Sequence, residues 1–124
     1  MKKIQLVGTD DTPGVILDVK NGIFEISGRS MPEDVEAFFD PILNWLENYA
    51  EKTNEKTEFI FKMNYFNTAS SKSILDILII LEEIYEKGND VLIKWHFPKK
   101  DEDMEEAGEE YADIVEIPFE HIPY

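Results

Sequence analysis

The strongest constraint on the fold is the alternation of helix-like segments with strand-like segments. Two segments, one after Ser30 and one after Ser71, carry apolar residues at steps of three and four, as amphipathic helices do. Strand-like segments lie before, between and after these helices, at residues 4–7, 15–19, 23–27, 59–66, 91–97 and 112–117. Because a helix that joins two neighbouring parallel strands makes a right-handed crossover, this order predicts parallel pairing around both helices.

The order of elements predicts a STAS-like α/β fold with the pattern βββαβαβ, an acidic loop or short helix, and a last strand. We expect residues 1–124 to form a single domain, since this length suffices for one domain and not for two. The domain should contain one mixed sheet of about six strands, with two main helices packed mostly on one face. Asn21-Gly22 between the second and third strands is typical of a tight hairpin.

Two local patterns predict how the first helix begins and whether it is continuous. Residues 28–30 are expected to form the turn after the third strand, and Ser30 with Glu33 three residues later matches a capping box. Pro41 lies inside the helix-like segment, where its ring and its missing N–H oppose regular helix. We therefore expect a kink there, or a split in which Asp40 caps the second part.

Composition excludes several classes of protein. The net charge is −15, from 27 acidic and 12 basic residues, so the phosphates of nucleic acids and anionic membranes would be repelled. Without cysteine the chain has no disulfide and no thiolate site. No apolar run approaches the ~20 residues of a membrane span, and Met1-Lys2-Lys3 leads into a strand-like pattern rather than a signal peptide. We expect a soluble cytoplasmic protein whose partners are proteins.

Catalytic chemistry has little support in the sequence. His96 lies in a strand and His121 in the tail, neither within a recognisable triad pattern, and no glycine-rich phosphate loop occurs. The acidic run at 101–110 begins like a twelve-residue calcium-binding loop, but Glu106 stands at the sixth position, where glycine is required, and Ala112 at the twelfth, where a bidentate glutamate is required. We therefore expect no enzymatic activity, no cofactor and no metal.

The segment 65–72 contains the candidate site, because a strand ends there and small polar residues begin a helix. In the simplest interpretation Asn67 or Thr68 caps the helix by accepting a hydrogen bond from a free backbone N–H. The same helix N-terminus favours a negative charge, so a phosphate on Thr68 would cost little stability. A partner that covers Thr68 would then have to desolvate a dianion, which would change binding strongly.

Arg29, the only arginine, allows two interpretations. The simpler one is a salt bridge to one of the many acidic residues. If strands 23–27 and 59–66 are parallel, however, Arg29 lies at the same end of the sheet as Asn67 and Thr68. Binding sites form at this carboxyl end in open α/β sheets, so Arg29 would be placed to reach a phosphate on Thr68.

Two motifs together resemble the SiaC-type regulatory phosphoproteins of bacterial biofilm control. They are GRS-x-PE at 28–33 and YFNT-x-SSK at 65–72. The resemblance covers nearly the whole chain and also includes Thr12-Pro13, Asp18, Pro41, Trp45-Leu46, Tyr49, Trp95, Asp101-Glu102-Asp103-Met104, Gly108-Glu109-Glu110 and Pro118-Phe119. Ala69 departs from the pattern, because serine is common at this position.

The resemblance implies a partner switch of the kind known for anti-sigma-factor antagonists. A GHKL-type protein kinase would phosphorylate the protein, and a metal-dependent phosphatase of the PP2C type would reverse the reaction. The family pattern places the acceptor at Thr68, with Ser70 and Ser71 as further possible acceptors. The effector implied by the family is a diguanylate cyclase, which the unphosphorylated form activates. Any cofactor would then belong to these partners.

The expected contact surface surrounds the phosphorylation site. Ser71, Lys72 and Asp76 lie on the second helix close after Thr68. An acidic target for a basic partner is offered by Asp101, Glu102 and Asp103. The alternative hypothesis is a sensor that binds a small molecule or a nucleotide at the carboxyl end of the sheet.

Overall fold

The computed structural model, which describes residues 1–124, contains one six-stranded sheet and three helices. The strands are β1 (Ile4–Leu6), β2 (Gly14–Asp18), β3 (Ile23–Ser30), β4 (Lys56–Phe66), β5 (Asp90–Phe97) and β6 (Phe119–Pro123). The helices are α1 (Val35–Tyr49), α2 (Thr68–Glu86) and α3 (Glu102–Ile114). The predicted α/β class and the six-stranded sheet are confirmed, and a third helix stands where a loop or short helix was the expectation.

The strands lie in the sheet in the same order as in the sequence. β1, β2 and β3 are antiparallel neighbours, whereas β3, β4, β5 and β6 are parallel neighbours. Each parallel connection contains one helix, so the predicted parallel pairing around the helices is confirmed. The hairpin between β2 and β3 turns at Gly22, whose φ of 66° favours glycine.

All three helices pack on one face of the sheet, which confirms the prediction for the two main helices and adds α3 to the same face. The parallel register places Phe24, Phe59 and Ile93 side by side, and each is buried. Rings on this face contact both flanking helices: the Phe24 ring centroid lies 5.0 Å from that of Tyr49 in α1, and the Trp95 centroid lies 5.6 Å from that of Tyr111 in α3. The other face, which we call the open face, carries half-buried and exposed residues, including Glu25, Lys62 and Lys94.

β3 continues to Ser30, so the expected turn at 28–30 and the expected capping role of Ser30 are wrong. Ser30 pairs with Phe66 of β4 and is fully buried. The cap of α1 is Asp34, whose carboxylate accepts a hydrogen bond of 3.1 Å from the N–H of Ala37. Pairing of Ser30 with a strand far along the chain outweighs the local capping pattern. The sequence of this segment alone does not reveal that pairing.

Pro41 does not split α1, and Asp40 caps no second helix. The helix runs uninterrupted from Val35 to Tyr49. Proline at 41 removes the N–H that would pair with the carbonyl of Ala37 four residues earlier. Both residues are exposed, so water can satisfy that carbonyl, while the buried side of α1 keeps its packing.

The predicted last strand at 112–117 is also wrong. Residues 112–114 complete α3, and the last strand is β6. α3 packs closely on the sheet at Gly108, where a β-carbon would overlap the ring of Trp95. The indole Nε1 of Trp95 donates a hydrogen bond of 3.0 Å to the carbonyl of Met104, which fixes α3 at this point.

β4 and α2 are joined by a single residue, Asn67. The backbone N–H of Asn67 donates a hydrogen bond of 3.1 Å to the carbonyl of Ser30 at the end of β3. The position of the first turn of α2 is therefore set directly by two parallel strands.

Candidate functional site

The N-terminus of α2 is capped by Asn67. Its side-chain carbonyl accepts a hydrogen bond of 2.9 Å from the N–H of Ser70. Of the two capping residues that the sequence allowed, Asn67 is the one that performs this role. Thr68 is consequently the first helical residue, and its side chain is not needed to complete the cap.

Thr68 is exposed, and its hydroxyl forms no hydrogen bond. The hydroxyls of the two neighbouring serines are engaged. Ser70 is fully buried and accepts a hydrogen bond of 2.8 Å from Ser30. Ser71 is half-buried, and its hydroxyl donates a hydrogen bond of 2.6 Å to the carbonyl of Thr68. Among these three hydroxyls, only that of Thr68 is both accessible to a modifying enzyme and free.

Sequence reasoning missed the contribution of Ser30. Its buried hydroxyl and its carbonyl both bond to the start of α2, through Ser70 and Asn67. A signal existed in the strand pattern, because Phe24, Ile26 and Ser30 have the same parity and all three are buried. Extending the strand by its period of two would have placed Ser30 towards the helices.

Tyr111 is a second residue that sequence reasoning missed. Its hydroxyl donates a hydrogen bond of 2.7 Å to the carbonyl of Ser71, which connects α3 to the first turn of α2. Burial raises the pKa of Tyr111 well above its ordinary value, so the hydroxyl keeps its proton and remains a donor. The acidic helix α3 is thereby held against the segment that contains Thr68.

Lys72 lies between two grooves, each about the size of a few side chains. The α1–α2 groove has a volume of about 250 Å³ and is lined by Val35, Glu36, Phe39, Asp40, Leu43, Ala69, Lys72, Ser73 and Asp76. The α2–α3 groove has a volume of about 320 Å³ and is lined by Phe66, Ser71, Lys72, Leu75, Ala107, Glu110, Tyr111 and Ile114. The predicted contact residues Ser71, Lys72 and Asp76 therefore lie on these two neighbouring grooves.

Arg29 lies at the same end of the sheet as Asn67, as the parallel topology requires. It pairs with Tyr65 in the register, and its guanidinium lies 5.3 Å from the centre of the Tyr65 ring. The salt-bridge interpretation is wrong, because Arg29 forms no ion pair. Contact between Arg29 and a phosphate on Thr68 stays a prediction.

The predicted acidic residues lie around the start of α3. Asp101 caps this helix by accepting a hydrogen bond of 3.0 Å from the N–H of Met104. Asp101 and Asp103 share a cavity of about 290 Å³ with Tyr65 at the end of β4. Glu102 lies in a neighbouring open depression with Lys100. Because the only charged groups lining the 290 Å³ cavity are carboxylates, it suits the phosphates of a nucleotide poorly.

No group of three or more histidine, cysteine, aspartate or glutamate side chains is arranged to hold a metal ion. His96 is half-buried on the open face, and burial together with the charge of Lys62 holds its pKa below the ordinary value. His96 is thus separated by the sheet from the helices and from Thr68. None of the three helices combines the length and the hydropathy of a membrane span.

Comparison with known families identifies the protein group. The model of the SiaC family, described as regulatory phosphoproteins, matches residues 6–124. The chain belongs to the SiaC family. An uncharacterized protein of Pseudomonas aeruginosa strain UCBPP-PA14 is 30% identical to this SiaC-family protein over 119 residues, which cover 96% of this chain and 94% of the relative.

Solved structures of SiaC from Pseudomonas aeruginosa have the same fold. One SiaC structure is 27% identical with a TM-score of 0.90, and each chain is fully covered. The structure of the diguanylate cyclase SiaD in complex with its activator SiaC contains a chain that is 29% identical, with a TM-score of 0.92 and coverage of 98% of this chain and 99% of that one. The resemblance noted in the sequence is therefore confirmed at the level of family and fold.

Proposed function

We propose that this SiaC-family protein is a non-enzymatic switch that selects protein partners according to phosphorylation of Thr68. A GHKL-type kinase adds the phosphate, a PP2C-type phosphatase removes it, and the unphosphorylated form activates a diguanylate cyclase. Two findings support the proposal: the family consists of regulatory phosphoproteins, and a structurally similar SiaC is an activator of the cyclase SiaD.

The observation that carries the proposal is the exposed, unbonded hydroxyl of Thr68 at the first position of α2. A negative charge in the first turn of a helix is favourable by about 0.3–2 kcal/mol. Phosphorylation would therefore leave the fold intact. It would also add about −1.5 to −2 charge to the surface, which changes what the surface can bind.

The chemistry of the switch belongs to the partners in this proposal. The kinase supplies ATP and the phosphatase supplies its metal ions, while this chain supplies Thr68 and the surface around it. The contact surface includes Ser71, Lys72 and Asp76, which line the grooves beside α2. Because the kinase uses ATP, the proposed switch operates in the cytoplasm.

Intact-mass spectrometry after incubation with the cognate kinase and ATP tests the acceptor. The unmodified protein should gain the mass of one phosphate, and peptide mapping should assign it to Thr68. Thr68→Ala should gain none, whereas Ser71→Ala, which removes the hydroxyl three positions later in the same helical turn, should gain one. A Thr68→Ala protein that still becomes phosphorylated would overturn the assignment.

Binding to the cognate cyclase tests the switch itself. Thr68→Ala should bind and activate the cyclase in the presence of kinase and ATP, because it cannot be modified. Thr68→Asp should fold in the same way and bind more weakly. Equal binding by the two variants and by the phosphorylated protein would contradict a role of this residue in partner choice.

A further inference from the structure

We infer that Lys72 transmits phosphorylation of Thr68 to the partner-binding grooves. In the unmodified protein its ammonium is available to a carboxylate of a protein partner. In the phosphorylated protein the same ammonium pairs with the phosphate of its own chain. The inference rests on the proposed modification of Thr68 and adds a residue and a mechanism to it.

The first observation is the distribution of charge over the helices. α1 contains three acidic residues, α2 four and α3 seven. Against these fourteen carboxylates the three helices contain one basic residue, Lys72. A single side chain therefore supplies all of the positive charge within the helical layer that faces away from the sheet.

The second observation is that Lys72 forms no ion pair. Glu36, Asp40 and Asp76 share the α1–α2 groove with it, and Glu110 shares the α2–α3 groove. The only ion pairs of the protein join Glu58 to Lys56 and Lys94. None of the four groove carboxylates therefore lies within 4.0 Å of the Lys72 ammonium. The one cation of the helical layer is thus exposed and unpaired, on the ridge between the two grooves.

The third observation is the spacing of the two residues. Thr68 and Lys72 are four positions apart on α2, so their side chains are neighbours on one helix face. Side chains on a helix lean towards its N-terminus, which directs the long side chain of Lys72 towards the first turn. A phosphate on Thr68 would therefore lie one helical turn from the only basic residue of the three helices.

A consequence for partner choice follows from these three observations. A phosphate that holds the ammonium removes the only positive charge from the rim of both grooves. A partner carboxylate that pairs with Lys72 in the unmodified state would then meet a surface of uniform negative charge. Such like-charge juxtaposition rejects a partner without any change of fold.

Phosphorus NMR of protein with phosphothreonine built in at position 68 tests the pairing without any kinase. A neighbouring cation favours the dianion, so the second pKa of the phosphate should be lower than that of free phosphothreonine. Lys72→Gln should raise this pKa by a few tenths of a unit. The matched control is Lys87→Gln, which removes the same charge beyond the far end of the same helix and should leave the pKa unchanged.

An equal phosphate pKa in the unmodified sequence and in Lys72→Gln would overturn the inference, while the proposed function would stand. Conversely, if the kinase did not phosphorylate Thr68, the proposed function would be refuted, while a measured pairing between Lys72 and the built-in phosphate would stand. Because Lys72 is exposed and unpaired, its replacement should not disturb folding, which a thermal melt checks.

Binding of the cognate diguanylate cyclase tests the second half of the inference. In a Thr68→Ala background, which cannot carry the phosphate, Lys72→Glu should weaken binding at least tenfold. Lys87→Glu in the same background should have an effect of less than twofold. Unchanged binding by the Lys72→Glu protein would overturn the claim that a partner uses this ammonium.

Discussion

The hydroxyl of Ser30 donates a hydrogen bond of 2.8 Å to the hydroxyl of Ser70, and both side chains are fully buried where β3 meets the first turn of α2. The two residues are separated by 40 positions in the sequence. The carbonyl of Ser30 also accepts a hydrogen bond from the N–H of Asn67. The start of α2 is therefore attached to the sheet through both the side chain and the main chain of one residue.

Replacing Ser30 with alanine should destabilise the protein. The substitution leaves the Ser70 hydroxyl without its partner in a place that water does not reach. The expected loss in the free energy of unfolding is about 1–3 kcal/mol, measured by urea denaturation. Ser27→Ala, in the same strand, removes a hydroxyl that has no hydrogen bond and should change stability by less than about 0.5 kcal/mol. Equal losses in the two variants would show that the buried pair contributes nothing specific.

Asn67→Ala should destabilise α2 by removing its cap. The side chain of Asn67 satisfies the N–H of Ser70, and loss of such a cap costs about 0.5–2 kcal/mol. Asn67→Asp keeps an acceptor in the same place and adds a negative charge at the helix N-terminus, so it should be at least as stable as the unmodified protein. Thermal unfolding measures both. An aspartate variant as unstable as the alanine variant would rule out capping as the reason.

Gly108→Ala tests the close approach of α3 to the sheet, because two effects of opposite sign compete. Alanine favours a helix over glycine by about 1 kcal/mol, so helix propensity alone predicts stabilisation. The added β-carbon overlaps the Trp95 ring, however, and overpacking of this kind costs about 1–3 kcal/mol. We expect net destabilisation in denaturant titrations. In a Trp95→Leu background the same substitution should cost less, and an unchanged cost would refute the overlap as its cause.

The ion pair on the open face predicts a dependence of stability on pH. The ammonium of Lys94 lies 2.8 Å from the carboxylate of Glu58, and this hydrogen bond lowers the pKa of Glu58. The same bond raises the pKa of Lys94. Because a lowered carboxyl pKa stabilises the folded state only where the group is ionised, the contribution is present above the unfolded pKa of Glu58. It is lost as pH falls through the lower folded pKa.

The lysine acts at the opposite end of the pH range. Its raised pKa contributes stability below the unfolded pKa of Lys94, and this is lost as pH rises through the higher folded pKa. Glu58→Gln should therefore be slightly less stable than the unmodified protein near neutral pH, and the difference should shrink in acid. Both side chains are about one-third exposed, so salt should reduce the effect further. Denaturant titrations over a pH series measure it, and a difference independent of pH would contradict the assignment.

Sequence patterns predicted the elements whose signals are local. Three such elements are the Asn21-Gly22 hairpin, the cap at Asn67 and the apolar face of α2, each of which depends on residues that are close together in the sequence. The parallel pairing of β3 with β4 also followed, because a helix lies between them. These elements place Thr68 at the carboxyl end of the sheet.

The errors arose where distant contacts decide the structure. Ser30 reads as a helix cap in its local sequence, yet pairing with Phe66 and bonding to Ser70 keep it in a strand. The sequence of α3 is so rich in acidic residues that it was interpreted as a loop or a short helix. Met104, Gly108 and Tyr111 are nevertheless spaced to contact the sheet. The hydrogen bond from Tyr111 to the carbonyl of Ser71 joins residues that are 40 positions apart, and no sequence pattern encodes it.

Only Asn67 separates β4 from the residue that we propose to be phosphorylated. The chain has no slack at this point, so Thr68 cannot be drawn out into an extended stretch without pulling the sheet apart. An enzyme that modifies it must recognise a rigid, three-dimensional target. A synthetic peptide with the sequence of residues 62–72 would lack this folded conformation, so the enzyme should modify it far less efficiently than the folded protein.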